Sequence, residues 1–311
     1  MHDPLSIVMN TGSGHHGHGH QVNIEKMVEI LSAANYAVAL FLTDQVYNLD
    51  QCIAEAIKRH QSFPKGQRGI IVAAGGDGTI NSVVQALLGL DIQLGILPLG
   101  TFNYVARALN IPLNIDEATQ VLVDGDIRSI HVAQVNHRVY LNNASIGLYP
   151  VIIESREYYN QKIGRFPAVA YLSGLVELIK PFYHFRLKLR IDGKLHPVDS
   201  PMIFFGNNQL QLQDLKLRLA DCAAQGKLAG VALGQVNRWQ LLQLILKLFQ
   251  GELERADDVY GFCADQVEIE SKQRTLKVAL DGEIVQLTTP LKFAVCQNAV
   301  IVKVPHVITS I

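Results

Sequence analysis

The sequence predicts an α/β N-terminal domain, with a parallel sheet flanked by helices, followed by a mostly antiparallel β-sandwich domain. Up to about residue 124, short apolar runs alternate with stretches of helical spacing, and the turns after several of those runs are rich in glycine. Beyond Ser129 the pattern changes to closely spaced strand candidates. Strands alternating with helices call for a parallel sheet covered on both faces, and short strands at regular spacing call for antiparallel packing.

Leu5 to Met9 reads as the first strand, a Gly/His loop follows, and Ile24, Met27, Val28, Ile30 and Leu31 recur at helical spacing. Val38 to Leu42 is the second strand, with Leu49, Cys52, Ile53, Ala56 and Ile57 marking a helix after it. Gly69 to Ala73 is the third strand, Ile80 to Leu88 its helix with Gly89 as the stop, and Leu94 to Pro98 the fourth strand. A helix over Asn103 to Leu109 ends near Pro112. The later strand candidates are His131 to Val135, Arg138 to Asn142, Phe185 to Ile191, Met202 to Gly206, Val267 to Glu270, Leu276 to Leu280, Phe293 to Gln297 and Ala299 to Val304. Helices are expected over Phe166 to Ile179 and Asn237 to Phe249. The expected division is 1–128 and 129–311, with the C-terminal tail free to return to the first domain.

With 27 Lys plus Arg against 28 Asp plus Glu in 311 residues, no global positive field recommends a nucleic-acid partner. Hydrophobic residues make up 49%, yet no uninterrupted apolar run is long enough to span a bilayer, and Met1 to Met9 has no signal-peptide pattern. The expected location is therefore the cytoplasm, with peripheral contact at the inner membrane face allowed. Cys52, Cys222, Cys263 and Cys296 lie far apart and form no CxxC pair, so the expectation is reduced, buried thiols with neither a disulfide nor zinc.

The most informative stretch is Gly75-Gly76-Asp77-Gly78-Thr79-Ile80-Asn81, where an apolar strand breaks into glycines around one acid and resumes as a helix. Glycines let main-chain N–H groups approach a polyanion, and a helix N-terminus adds about half a positive charge. Asp77 stands where a magnesium ion could bridge protein and phosphate. No Gly-Lys-Ser/Thr ending follows, so this turn would depend on backbone amides and an acid in place of a lysine. A second crossing, Leu97-Pro98-Leu99-Gly100-Thr101-Phe102-Asn103-Tyr104-Val105-Ala106-Arg107, faces the same sheet edge. Its Thr101 and Asn103 would either hold a nucleotide or cap the helix.

Together, Gly-Gly-Asp-Gly-Thr and Pro-x-Gly-Thr-x-Asn-x-x-Ala-Arg resemble the diacylglycerol kinase catalytic-domain family, which includes sphingosine kinases and bacterial lipid kinases. The resemblance extends to Asp281-Gly282-Glu283 and Thr289-Pro290-Leu291, and so covers most of the chain in order. It implies ATP-dependent phosphorylation of a lipid hydroxyl with Mg2+, on an α/β domain followed by a β-sandwich. It assigns Asn10, Ser13, Gly14 and Gly75 through Asn81 to the ATP phosphates, and Thr101, Asn103 and Thr43 to the nucleotide. Thr43 is read equally well as a helix cap. Asp77 would organise magnesium and phosphate, and Glu283 would accept the proton of the attacking hydroxyl. The partners implied are a lipid alcohol and a transient membrane surface; a homodimer is allowed.

Two stretches depart from the family pattern. Thr11 stands where proline is usual, and His15, His16, His18 and His20 replace lysines and polar residues; these histidines either bind a transition metal or form a solvated loop. Between Phe205 and Val231 the usual acidic turn is replaced by Ala223-Ala224-Gln225-Gly226-Lys227-Leu228-Ala229, so a structural magnesium is not expected there. Over Asn237 to Phe249, Trp239, Leu242, Leu246 and Phe249 line one face, and Leu241, Leu244, Ile245 and Leu248 widen it. Core packing is the ordinary reading and membrane docking the functional one. Two alternatives to a lipid kinase stay open: an NAD kinase-like enzyme, whose family shares the first turn, and a non-catalytic nucleotide- or lipid-binding homologue.

Overall fold

The computed structural model describes residues 3–11, 24–44, 46–148, 150 and 184–306. The chain forms two compact units: Met1–Val132 with Cys296–Ile311, and Ala133–Val295. It passes from the first to the second within one strand, β5 (Asp126–Val135), and returns within another, β16 (Leu291–Val304).

In the first unit, β1 (Asp3–Met9), β2 (Tyr36–Leu42), β3 (Ile70–Gly75) and β4 (Gln93–Pro98) pair in parallel in the order β2-β1-β3-β4. The end of β16 adds in parallel beside β4, with Val302 opposite Leu94. Every residue of β3 is buried, as are Leu5, Ile7 and Val8 on β1, because helices cover both faces. Each buried Ile, Val or Leu side chain among these stabilises the fold by about 1.5–3 kcal/mol. Helix α1 (Ile24–Ala33) packs with α5 (Ile115–Asp124), while α2 (Leu49–Gln61) packs with α3 (Asp77–Leu87); α4 (Tyr104–Ala108) is short. For the strand order β2-β1-β3-β4, the general right-handed crossover rule calls for α1 on one face and α2 and α3 on the other. Asn48 and Gln51 close a capping box on α2, and Asn114 caps α5.

Below this sheet lies a buried polar group. His60 Nδ1 contacts the Arg68 carbonyl and its Nε2 lies 2.9 Å from Ser6 Oγ, both residues having no exposed surface. Arg59 donates to Ser6 Oγ at 3.0 Å and to the Ala37 carbonyl at 2.6 Å. Burial, then the Arg59 charge, pushes the His60 pKa down, against the opposing pull of the Arg68 carbonyl.

The second unit is antiparallel. One sheet runs β12 (Val259–Ala264), β11 (Leu228–Leu233), β10 (Met202–Gly206), β7 (Asn143–Gly147), β14 (Thr275–Leu280), β15 (Glu283–Thr288). The other contains the start of β16, β13 (Gln266–Ser271), β8 (Phe185–Ile191) and β9 (Lys194–Ser200), beside the hairpin of β5 with β6 (Arg138–Tyr140). Alternate residues of both sheets form one core in which Phe205 and Phe293 stack with ring centroids 4.1 Å apart. Helices α6 (Gln209–Asp214), α7 (Ala220–Ala224) and α8 (Arg238–Gln250) complete the unit.

The structure corrects several expectations. Helix α3 starts at Asp77, three residues before the predicted Ile80, and the two predicted strands after Phe293 are one strand, β16. Strands β7, β9, β11, β12 and β15 and helices α5, α6 and α7 have no counterpart among the sequence-based expectations. Cys222 and Cys263, expected as free thiols, form a disulfide, because α7 and β12 both lie against β11 and bring the two Cα atoms to 5.8 Å. Cys52 and Cys296 are free. On α8, core packing holds for Leu241 and Leu244, whereas Trp239 and Leu246 point outward. The predicted helix over Phe166 to Ile179 lies outside the described residues.

Candidate functional site

The C-terminal ends of four adjacent strands of the first unit carry most of the residues singled out in the sequence. β3 ends at Gly75, where an added Cβ would stand 2.4 Å from Thr79 Oγ1. Only glycine lets the first turn of α3 fold back this closely on the strand. Gly76 is the N-cap of α3, in extended conformation, and no side chain caps the helix. Among the described residues, the N-terminal amides of this eleven-residue helix therefore have no capping side-chain acceptor.

The second turn is locked to the first. Leu99 donates its N–H to the Gly75 carbonyl at 2.9 Å, and a Cβ on Gly100 would come within 2.5 Å of Gly76 Cα. The two turns therefore touch backbone to backbone. Asn103 is the N-cap residue of α4, but its side chain neither caps the helix nor faces solvent: it is buried, adopts a left-handed conformation (φ 50°), accepts the Gly100 N–H at 3.0 Å and donates to the Gly100 carbonyl at 2.8 Å. Thr101 and Phe102, between them, are exposed. Phe102 stacks on Tyr104, and the Arg107 guanidinium lies 5.6 Å from the Tyr104 ring centre.

The cap of α4 comes from the first turn. Asp77 Oδ1 accepts the Val105 N–H at 2.9 Å and Oδ2 the Tyr104 N–H at 3.2 Å. A carboxylate at a helix N-terminus is favoured by the helix dipole and by charge-assisted hydrogen bonding. Asp77 is thus a positioning residue that couples the start of α3 to the start of α4.

At β1 and β2, Asn10 donates its N–H to the Ala74 carbonyl at 3.1 Å. Thr43 does not cap a helix, a role Asn48 fills for α2. Its hydroxyl accepts the Thr11 N–H at 3.0 Å and donates to Asn10 Oδ1 at 3.4 Å, and Thr11 Oγ1 donates to the Thr43 carbonyl at 2.7 Å. A proline at position 11 could make neither Thr11 contact, so this departure from the family pattern has a local use. Of the remaining residues, Thr79 and Ile80 are buried, Ile80 wholly, so those side chains serve the core; Gly78 and Asn81 lie on the first turns of α3. Ser13, Gly14 and the histidines at 15, 16, 18 and 20 lie outside the described residues.

This edge fits a phosphate group: closely approached glycines and a helix N-terminus that no side chain among the described residues caps. Each Asp77 oxygen accepts one amide hydrogen and keeps a second lone pair, so the carboxylate could share a magnesium ion with a bound phosphate; among the described residues no three His, Cys, Asp or Glu side chains converge to hold one by themselves.

In the second unit, β14 and β15 are joined by Asp281 and Gly282, both left-handed (φ 48° and 91°), as a two-residue hairpin of primed type requires. Glu283 is the first residue of β15, opposite Leu280, and its side chain is exposed. Asp281 carries a role the sequence did not disclose. Its carboxylate accepts three backbone N–H groups, from Leu141 (2.8 Å), Asn142 (2.8 Å) and Asn143 (2.9 Å).

Around this knot is a buried asparagine cluster. Asn207 donates to the Leu141 carbonyl at 3.0 Å, Asn208 to Asn142 Oδ1 at 2.8 Å, and Asn143 to Gln211 Oε1 at 2.8 Å. The side-chain carbonyls of Asn143 and Asn207 and the hydroxyl of Ser145 are buried with no hydrogen-bond partner among the described residues. The Tyr140 hydroxyl is also buried with no partner among the described residues, and burial, then the Asp281 charge, raises its pKa well above the usual phenol value. The available signal was Asp-Gly between two strand patterns, which announces a hairpin but not the distant amides its acid holds.

Comparison with known proteins matches residues 4–135 to the diacylglycerol kinase catalytic domain, and residues 154–304 to a domain described as YegS C-terminal NAD kinase beta sandwich-like. Two Staphylococcus aureus proteins, from strains MRSA252 and Mu3, are each named "Putative lipid kinase". They are 27% identical over 241 residues, which is 74% of this chain and 75% of theirs. A solved structure of a diacylglycerol kinase from Bacillus anthracis is 24% identical with a TM-score of 0.69, covering 97% of both chains. Another from that organism, described as "a putative diacylglycerol kinase", is 22% identical with a TM-score of 0.71 over the same shares. At these identities the structural likeness concerns the fold.

Proposed function

The chain belongs to the diacylglycerol kinase catalytic-domain family, and from that premise we propose that it is an ATP-dependent lipid kinase, transferring the γ-phosphoryl group to the hydroxyl of a diacylglycerol- or sphingoid-like lipid. The names of the Staphylococcus aureus relatives support the acceptor class. The observation that carries the nucleotide half is the contact of the Gly76 and Gly100 turns beside the uncapped start of α3.

The α3 amides neutralise phosphate charge, as phosphoryl transfer asks mainly for alignment and charge stabilisation. Asp77 keeps the two turns in register by holding the Tyr104 and Val105 amides. Glu283 accepts the proton of the attacking hydroxyl, and Asp281 fixes the hairpin that presents it. ATP, when bound, supplies the phosphoryl group. The test is incubation with γ-labelled ATP and a panel of lipid alcohols, with NAD as a parallel acceptor. Labelled lipid and no NADP supports the reading; label in NADP alone would replace it with the NAD kinase reading, and no transfer at all would leave a binding homologue.

A further inference from the structure

Helix α8 exposes an apolar stripe that the fold does not use. Leu241 and Leu244 face the core with Val231, Leu233 and Val236. On the other side Trp239 is 72% and Leu246 61% exposed, with half-buried Leu242 between them. Positions 239, 242 and 246 fall on one stripe, about 10 Å long at 1.5 Å per residue. The stripe is held rigidly: Asn237 and Gln240 form a capping box at one end, and left-handed Gly251 (φ 78°) ends the helix at the other.

The charges select the occupant. Residues 238–250 contain Arg238 and Lys247 and no acid. A second copy docking by two-fold symmetry would set Arg238 of one helix near Lys247 of the other, like charge against like. A bilayer bearing anionic headgroups offers the complement to both: apolar depth for Trp239 and Leu246, negative charge for the helix ends. We propose that α8 is an interfacial helix that seats this protein on an anionic lipid surface. The proposal deepens the lipid-kinase reading, and rests on it for the choice of lipid over protein as the partner.

Trp239 is the chain's one tryptophan, so its fluorescence reports the contact directly. The experiment titrates the full chain, without ATP or acceptor lipid, with vesicles of phosphatidylcholine containing phosphatidylglycerol, and with phosphatidylcholine alone. The expected result is a blue shift on the anionic vesicles and quenching by brominated acyl chains. Trp239→Ser with Leu246→Ser should weaken co-sedimentation at least about tenfold, and Arg238→Gln with Lys247→Gln should do so roughly tenfold on the anionic vesicles only. Both double variants should keep the wild-type unfolding midpoint, since the altered side chains are on the helix exterior.

Absence of vesicle binding, binding with unchanged Trp239 emission, or loss of the stripe turning a dimer into a monomer with vesicle binding intact would each overturn the proposal. Phosphotransfer to an acceptor dispersed in detergent micelles, measured separately, keeps the two readings apart. Micellar activity without vesicle binding removes only the docking helix; vesicle binding through Trp239 without phosphotransfer removes only the kinase.

Discussion

Asp281 and Asn143 are tied in both directions: Asn143 donates its N–H to Asp281 Oδ1 at 2.9 Å, and Asp281 donates its own N–H to the Asn143 carbonyl at 2.9 Å. The start of β7 and the β14–β15 hairpin are thereby one rigid piece. Asp281→Asn keeps the size and one acceptor oxygen for Asn142 and Asn143, but removes the charge and points an NH2 group at the Leu141 amide, which needs an acceptor. It should cost about 2–4 kcal/mol in urea unfolding, the penalty of leaving a buried donor unsatisfied and removing the charge. A change below about 0.5 kcal/mol, the level of an ordinary surface substitution, would show that the knot is dispensable.

The contact between Gly76 and Gly100 leaves no room for a methyl group. In Gly100→Ala the new Cβ would lie 2.5 Å from Gly76 Cα, and neither backbone can give way without moving the turn. ATP affinity should fall at least about tenfold by calorimetry, equivalent to roughly 1.4 kcal/mol. Unchanged affinity would place the nucleotide elsewhere.

The buried His60 makes stability depend on pH. Its Nδ1 must donate to the Arg68 carbonyl, so Nε2 accepts the Ser6 hydroxyl and the ring is neutral. Its pKa in the fold is below the unfolded value of about 6.5. The contribution is therefore fully present above that value and is lost as the pH falls below it towards the folded pKa, because the unfolded chain takes up the proton first. Urea midpoints between pH 7.5 and 5 should fall more steeply for wild type than for His60→Asn; equal slopes would refute the assignment.

The disulfide between Cys222 and Cys263 closes a loop with a sequence separation of 41. Breaking it should lower stability by about 2–4 kcal/mol. Thiol titration of the denatured, unreduced chain should find only Cys52 and Cys296. Four reactive thiols, or a Cys222→Ser variant as stable as wild type, would contradict the bond.

The parallel half of the fold was legible because buried strands are short apolar runs and its helices repeat apolar residues every three or four positions. Asn10, Thr43, Gly75 and Gly100 were all singled out, and all stand at the C-terminal ends of β1 to β4 or just beyond. Pairings over long sequence distance were not legible. Asp77 meets amides 27 and 28 positions away, and Asp281 meets amides 138 to 140 positions away, which no local pattern encodes. Strand β9 contains Pro197 and charged residues and forms because it is a sheet edge, where a missing N–H is tolerated. In α8 two apolar stripes compete for one core, and spacing alone does not say which loses.

The most direct test of the account compares phosphoryl transfer by the wild type and Glu283→Gln, using γ-labelled ATP over a total lipid extract, with ATP affinity measured in parallel. The account predicts an organic-soluble labelled product from the wild type. It also predicts a loss of about 100-fold or more in Glu283→Gln, the scale of general-base catalysis, with ATP affinity within about twofold of wild type, as a group acting on the acceptor hydroxyl requires. No labelled lipid from folded wild type, or equal turnover by the variant, would contradict it.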